Sequence, residues 1–283
     1  MGTRLLRAWA PALWLGPSTV GVVLFFIGPL LVVVWLTTQS WNLLSDPAWA
    51  GAANLGALAD PRFARSLVTT FTIGASAVVI EIVVGFVLAQ ALARNSASNR
   101  ATMVMLLLPW MMAPLALGVV ARWFLSPSNG LIASVIGTRF TALDEAMTAV
   151  IAVVLVVAWQ ATGFAALVYS ASLRAIPREV HAAAALDGLG SWGRWWRIDW
   201  PLVAPTSGFL LIAGVPQALG LYDLVVALTG GGPGFATETV AMRVVQTAWN
   251  SFDVGPAAVL AVALSVIGTS LAATVVVWLR RRT

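Results

Sequence analysis

The sequence predicts an all-α, polytopic membrane protein with six transmembrane helices. Of its 283 residues, 60% are hydrophobic and only 10% are charged, and the mean hydropathy is +0.91. Soluble domains carry about 45–50% apolar and about 25% charged residues. Six intervals are long enough to cross a bilayer, which takes about 20 apolar residues. They contain no charged residue except Glu81, so a water-soluble fold is excluded.

Each predicted span is the apolar centre of one such interval, and we expect a single domain over 1–283. The spans are predicted at 17–39, 66–93, 101–124, 146–172, 201–222 and 255–279. Pro109 and Pro114 in the third span and Pro216 in the fifth are expected to kink the helices and free backbone groups to line a cavity. The two loops whose residue patterns say most about function are 173–200 and 223–254.

The arginines predict the orientation, because loops on the cytoplasmic side of a membrane are enriched in basic residues. Eleven of the 16 basic residues fall on one side of the predicted spans: Arg4, Arg7, Arg94, Arg100, Arg174, Arg178, Arg194, Arg197, Arg280, Arg281 and Arg282. We therefore expect both termini and loop 173–200 to be cytoplasmic. Loop 223–254 is then extracytoplasmic.

The residue inventory excludes most catalytic chemistry. The chain has no lysine, so it cannot form a P-loop or a Schiff base. It has no cysteine, and its one histidine, His181, leaves little for a histidine-based metal site, so we expect no metal site and place His181 on the surface at a subunit contact. The net charge of +5 is dispersed between apolar runs, which argues against nucleic acid. We predict that the protein is not an enzyme.

Loop 173–200 has the pattern of a helix–turn–helix outside the membrane. Pro177 suits the first turn of a helix, Glu179 complements the positive helix N-terminus, and the alanines that follow favour helix. Gly188 and Gly190 break it, and Ser191 is a suitable cap for a second short helix before Pro201 opens the fifth span. The flanking arginines favour an acidic partner or anionic lipid. An ordinary basic loop with a short interfacial helix is the alternative.

This loop resembles the EAA loop of ABC-importer permeases of the carbohydrate-uptake class. That pattern reads roughly L-x-x-I-P-x-E-L-Y-E-A-A-x-x-D-G-A, followed by an aromatic residue and I-x-L-P. The matching residues are Leu173, Ile176, Pro177, Glu179, Ala183, Ala184, Asp187, Gly188, Trp195, Ile198 and Pro201. The chain departs from the pattern at the tyrosine, the glutamate and the last alanine, which are His181, Ala182 and Leu189.

Loop 223–254 supports the same family. The segment from Tyr222 and Asp223 through Thr229 to Gly-Gly-Gly-Pro233, with Thr237 behind it, is similar to the F-D-x-x-x-x-x-T-x-G-G-P-x-x-x-T motif of the maltose-permease-F and glycerol-phosphate-permease-A branch. By itself, a run of glycines before a proline indicates a flexible turn. The resemblance as a whole covers nearly the entire chain.

The resemblance implies a type I ABC-importer permease in the bacterial cytoplasmic membrane, working by alternating access. The solute would be a sugar, amino sugar, polyol or glycerol phosphodiester. The implied partners are a second homologous permease, an ABC ATPase dimer that binds ATP-Mg, an extracytoplasmic solute-binding protein and membrane lipid; the chain itself would hold no cofactor. The implied ATPase-coupling residues are Pro177, Arg178, Glu179, Ala183, Ala184, Asp187, Gly188, Trp195 and Pro201. Those implied for the binding-protein side are Thr229, Gly231, Gly232 and Pro233.

Five polar residues at or within the spans are candidates for the solute path: Glu81, Gln160, Gln217, Tyr222 and Asp223. Intramembrane polar groups are costly and often functional. Each could instead make a helix–helix hydrogen bond, and Asp223 could mark a span end. A secondary transporter or a channel subunit not driven by ATP remains the alternative function. The first would show inverted repeats and more intramembrane charge, and the second would show pore-lining rings.

Overall fold

The computed structural model describes residues 15–92, 97–127, 130–136 and 141–280, and these are mostly helical. Two short strands, β1 (Gln39–Ser40) and β2 (Ala48–Trp49), pair antiparallel with Gln39 opposite Trp49. The helices are α1 (Leu15–Leu36), α2 (Pro61–Ala91), α3 (Ala97–Met111), α4 (Pro114–Phe124), α5 (Leu131–Ile136), α6 (Ala146–Arg174), α7 (Arg178–Leu186), α8 (Ser191–Leu219), α9 (Asp223–Leu228), α10 (Val240–Val245) and α11 (Val254–Arg280).

Within the described residues, five helices are long and apolar enough to cross a membrane: α1, α2, α6, α8 and α11. A sixth crossing exists if α3 and α4 count as one span, but these two helices meet at 103°. The sequence predicted one span there, kinked at Pro109 and Pro114. The break follows from Pro114, since the residue before a proline is pushed out of the helical region. Ala113 accordingly has φ −59° and ψ 133°.

The fifth span also differs from the prediction. The short helix expected before Pro201 and the span itself are one helix, α8, with a π turn at Trp195–Asp199. The wider turn accommodates Pro201, which has no N–H to donate and would crowd the preceding turn of an α-helix. Gly190, rather than Ser191, is the N-cap residue, and no side chain caps this end.

The described chain groups into two compact units, of which the first contains the described residues up to Phe63 and Val244–Leu264. In this unit the segment between α1 and α2 holds the start of α11. Asn54 donates two hydrogen bonds of 2.8 Å, to the carbonyl oxygens of Thr37 and Gln39. The backbone N–H of Val254 donates to the Trp41 carbonyl at 3.1 Å. None of the apolar window of α1 is buried against the described chain.

The second unit contains the described residues of Ala64–Arg243 and those from Ser265 to Arg280, and α6 is its central helix. One apolar cluster joins α2, α4, α6, α9 and α10, and a second joins α2, α6 and α8. Small residues let the helices approach closely, as is typical of membrane proteins. At Gly163 of α6, a Cβ atom would overlap the Leu106 carbonyl of α3. A side chain at this position would therefore separate α6 from α3.

Part of the predicted orientation depends on residues outside the described ranges. Residue 93, the predicted end of the second span, lies outside the described ranges. So do six arginines: Arg4, Arg7, Arg94, Arg139, Arg281 and Arg282. The placement of both termini in the cytoplasm therefore stays a prediction.

Candidate functional site

A cavity of about 440 Å³ opens in the second unit, at the end of α8 and beside the α3–α4 break. Four of the five predicted solute-path residues line it: Gln160, Gln217, Tyr222 and Asp223. Its other lining residues are Trp110, Met112, Pro114, Pro216, Gly220, Leu221 and Leu224. A concave site with an aromatic wall and a few polar groups has the usual composition of a small-molecule site.

Broken helices create this cavity. The bend at Pro114 leaves the Met112 carbonyl without its helical partner, and the Gln160 amide donates to that oxygen at 3.3 Å. Gln160 thus makes the interhelical hydrogen bond that was its alternative role, while also lining the cavity. On the other wall α8 ends where the Gly220 N–H donates to the Pro216 carbonyl at 2.9 Å. Of the three prolines predicted to kink the helices, Pro114 lies at a break, whereas Pro109 and Pro216 lie inside α3 and α8.

Glu81, the fifth candidate, lies deeper. Its side chain is 5% exposed and borders a separate space of about 10 Å³ among α2, α6 and α8. Gln217 lines this space as well as the larger cavity. A space of this size admits about one water at most, so Glu81 is placed to contact a solute only through Gln217 or a change in helix packing.

The Gly-rich stretch is an ordered loop rather than a flexible turn, and we call residues 229–240 the GGP segment. Gly230 and Gly231 have φ of +64° and +86°, a conformation that glycine adopts without strain. The Thr237 side chain is fully buried, shares a 2.7 Å hydrogen bond with the Thr229 hydroxyl, and donates to the Gly232 carbonyl at 2.8 Å. The loop therefore closes on itself through threonine hydroxyls.

Buried polar contacts attach the GGP segment to the start of α2. The Ser66 hydroxyl donates to Glu238 Oε2 at 3.1 Å, and the Val240 N–H donates to Thr70 Oγ1 at 2.9 Å. Glu238 is 1% exposed, and an Arg243 nitrogen lies 4.0 Å from its Oε2. Such a carboxylate is stable in the interior only when it is paired and hydrogen-bonded. The segment is therefore held in one position relative to α2.

We expect Thr237→Val to destabilise the protein, because it removes the hydroxyl that closes the GGP segment while keeping the side-chain shape. The loss should be about 1–3 kcal/mol, the cost of leaving buried partners unsatisfied. Thermal unfolding in detergent measures it, and Thr237→Ser, which keeps the hydroxyl, is the control. Equal midpoints for the Val and Ser variants would contradict this account of the loop.

The other predicted loop contains α7, which begins after Pro177 and ends at Leu186; Gly188, two residues further on, has φ of +76°. The Leu189 N–H donates a hydrogen bond to the Ala184 carbonyl at 3.0 Å and closes the end of the helix. Of the predicted coupling residues, Ala184 is buried and Trp195 is half-buried. The others are exposed: Pro177, Arg178, Glu179, Ala183, Asp187, Gly188 and Pro201.

The two loops lie at opposite ends of α2. The GGP segment contacts Ser66 and Thr70 near its start. The segment from α7 to the start of α8 contacts Gln90 near its end, through Asp199. A helix rises about 1.5 Å per residue, so the two contacts are roughly 36 Å apart, which exceeds the thickness of a bilayer's hydrocarbon core.

Comparison with known proteins identifies the family of this chain. Residues 81–283 match the family described as "Binding-protein-dependent transport system inner membrane component". The chain belongs to this family. The resemblance read from the two loop motifs is therefore confirmed, and the permease is a multi-pass inner-membrane protein.

Individual relatives support this assignment over most of the permease. It is 29% identical over 271 residues to the sn-glycerol-3-phosphate transport system permease protein UgpA of Agrobacterium fabrum, with 93% of this chain and 92% of the relative covered. It is 26% identical over 242 residues to the probable starch degradation products transport system permease protein AmyD of Thermoanaerobacterium thermosulfurigenes, with 84% and 83% covered.

Solved structures show the same fold. A chain of a bacterial ABC transporter involved in the import of the acidic polysaccharide alginate superposes with a TM-score of 0.83 at 20% identity, over 99% of the permease and 98% of that chain. A second structure, of the alginate transporter in complex with its pentasaccharide-bound periplasmic protein, gives a TM-score of 0.82 at 18% identity, covering 97% and 95%. The predicted all-α, type I ABC-importer permease fold is therefore confirmed.

Sequence reasoning missed three residues that the structure places at these sites. Trp110 lines the cavity and stacks on Phe164 with ring centroids 5.0 Å apart, and its position between two prolines was the available signal. Glu238 looked like an ordinary loop acid. Asp199 looked like a charge at a span boundary, yet it accepts a hydrogen bond from His181, which the sequence placed at a subunit contact.

Proposed function

We propose that the permease is one of two transmembrane subunits of an ATP-driven importer for a carbohydrate, and that the 440 Å³ cavity is part of its solute path. The observation that supports this most directly is the convergence of Trp110, Gln160, Gln217 and Tyr222 on one opening. An aromatic face with amide and hydroxyl groups matches the chemistry of a sugar, which presents C–H faces and hydroxyls. AmyD, by its name, transports starch degradation products.

The charge of the cavity favours a neutral carbohydrate over a glycerol phosphate. Among the described residues that line it, Asp223 is charged and none is an arginine. Carboxylates repel phosphate, and phosphate sites are usually built from arginines or backbone N–H groups. The likeness to UgpA therefore extends to the fold and family, and the solute that we propose is different.

The energy source belongs on another polypeptide, because a chain without lysine cannot supply the P-loop lysine that contacts ATP phosphates. Helix α7 offers the docking surface for such an ATPase. Ala182, Ala183 and Ala185 are exposed, and Leu186 is 90% exposed. An apolar helix face of this kind outside the membrane is typical of a protein interface. Small side chains allow it to enter a groove closely.

The remaining assignments follow from this docking. Loop 173–200 is cytoplasmic, loop 223–254 faces the solute-binding protein through Thr229, Gly231, Gly232 and Pro233, and both termini are cytoplasmic. A second permease covers apolar surface that this chain leaves open, and ATP-driven movement of α7 produces alternating access by rigid-body rotation. ATP-Mg binds on the partner ATPase, and the permease itself needs no cofactor for this role.

Reconstitution tests this function. The permease, its partner permease, the ATPase and the solute-binding protein are placed in proteoliposomes, and uptake is measured against a panel of labelled sugars and sn-glycerol 3-phosphate. We expect ATP-dependent uptake of a neutral sugar without competition by sn-glycerol 3-phosphate. Uptake by the purified permease alone without ATP would establish a secondary transporter or channel instead.

We expect Trp110→Ala to raise the KM for solute about tenfold in this assay, since an aromatic contact contributes about 0.5–1.5 kcal/mol and 1.4 kcal/mol is a factor of ten. Trp278→Ala is the matched control, because both tryptophans are 46% exposed and Trp278 lies near the end of α11, away from the cavity lining. Equal KM values in the two variants would show that Trp110 does not contact the solute.

A further inference from the structure

Asp199 joins three helices at the end of the second unit opposite the cavity. It is the last residue of the π turn in α8, and its side chain is 3% exposed. His181 Nε2 of α7 donates to its Oδ1 at 2.9 Å, and Gln90 Nε2 of α2 donates to its Oδ2 at 2.8 Å. The Arg194 Nε lies 3.8 Å from Oδ2. Each carboxylate oxygen therefore has a donor from a different helix.

The helices around Asp199 are closely packed. Trp200 packs edge-on against Phe86 of α2, with ring centroids 4.9 Å apart, and Phe86 packs edge-on against Tyr169 of α6 at 5.7 Å. The Tyr169 and Ser207 hydroxyls share a 2.7 Å hydrogen bond between α6 and α8. These three helices thus form one packed body. By contrast, α7 buries only Ala184 among its own residues.

The backbone segments that join α7 to its neighbouring helices are easily bent. Pro177 precedes it in extended conformation, and Gly188 and Gly190 follow it. Without a side-chain contact, a force on α7 would bend these joints before it moved the span. The His181–Asp199 hydrogen bond bridges the second joint directly.

Both partners of this bond depart from or lie outside the EAA pattern. The pattern has tyrosine at the position of His181 and leaves the position of Asp199 unspecified, and its glutamate is Ala182 here. The pair is therefore a feature of this chain rather than something that the motif requires.

We propose that Asp199, His181 and Gln90 form a clasp that makes α7 move as one body with α2 and α8. The three are positioning residues, which contact neither solute nor nucleotide. They transmit displacement of α7 along α8 to Gln217 in the cavity. Gln217 lies roughly 27 Å from Asp199 along the helix, at 1.5 Å per residue. This proposal rests on ATPase docking at α7 and adds the means by which the docked helix moves the span.

The test compares paired variants in the reconstituted importer and counts solute molecules transported per ATP hydrolysed. His181→Phe and Asp199→Leu remove the hydrogen bond with similar volume. His181→Gln and Asp199→Asn keep a donor or acceptor in place, since the Gln90 amide can turn to pair with asparagine. We expect the ratio to fall about tenfold in the first pair, the scale of a lost hydrogen bond to a charged group. The second pair should stay within about twofold of the unsubstituted protein, and ATPase copurification should not change.

Several outcomes would overturn the clasp. An unchanged ratio in His181→Phe would do so, as would equal losses in His181→Phe and His181→Gln, or a lower melting temperature with an unchanged ratio. His181 is one-third exposed, so its variants should fold even if Asp199→Leu does not. Asp46→Leu, at an exposed aspartate outside both loops, is the control for introducing leucine.

A second measurement separates failure of the clasp from failure of the proposed function. The chain has no cysteine, so spin labels attach only where cysteine is introduced, here at the exposed positions Ala185 in α7 and Leu202 in α8. In the purified permease we expect a narrow distance distribution that broadens with His181→Phe and narrows again with His181→Gln. A distribution that His181→Phe leaves narrow overturns the clasp, whether or not an ATPase docks on α7.

Discussion

We expect Gly188→Trp to abolish ATP-driven transport while the permease still inserts into the membrane. Nothing lies within 4 Å of a Cβ atom at this position, so a large side chain meets no atom of the described chain and projects from the end of α7. There it blocks docking of the helix in an ATPase groove. Losing a central interface contact costs about 2–4 kcal/mol, or at least about 30-fold in ATPase affinity. ATPase copurification and solute uptake measure both effects.

The control for this substitution must separate docking from backbone strain, because Gly188 has φ of +76°. Asparagine tolerates this conformation and is small, so the Gly188→Asn variant should keep most of the transport activity. Reversing the exposed charge with Asp187→Arg should weaken docking without affecting the turn. If Gly188→Trp supports normal uptake, α7 does not dock the ATPase.

We expect Gly163→Ala to destabilise the permease strongly, although it adds only one methyl group. That group would overlap the backbone carbonyl of Leu106, which cannot turn aside as a side chain can. Overpacking costs about 1–3 kcal/mol, and we expect the upper end because α3 and α6 must separate. The Gln160–Met112 hydrogen bond joins α6 to the residue that directly follows α3 and should weaken with it. The expected result is a lower unfolding midpoint in detergent and reduced uptake.

Gly21→Ala in α1 is the matched control, since a Cβ atom there has nothing within 4 Å. It makes the same chemical change in a membrane helix without the steric overlap. The Gly21 variant should therefore keep the midpoint of the unsubstituted permease. An equal midpoint for Gly163→Ala would mean that α3 and α6 can separate at no measurable cost.

The six apolar intervals could be predicted because hydrocarbon acts on each span separately. A helix in a bilayer satisfies its own backbone hydrogen bonds and must be apolar along its own length, so the information is local. The loop motifs are local for a similar reason: the EAA-like spacing lies on one helix and the turn after it. The same reasoning could not predict the 103° bend between α3 and α4, since a proline permits a bend but does not set its angle.

The candidate site depended on tertiary packing to a greater degree. Gln160 and Gln217 lie on different helices, and only the meeting of α6 with the end of α8 puts both beside Trp110. Asp199 and Glu238 looked like surface charges in the sequence, and packing buried both among hydrogen-bond donors. A carboxylate at a span boundary can be solvated or buried, and its own sequence neighbours do not distinguish these cases.

The sequence by itself determined the membrane class and the family, since hydropathy and motif spacing are properties of short stretches or of composition. Only the tertiary structure decided which polar residues share a cavity, that the GGP segment is an ordered loop, and that His181 is bound to Asp199. These are contacts between residues far apart in the chain or across a turn. They depend on the approach of whole helices, which small residues such as Gly163 permit and which no single stretch of sequence specifies.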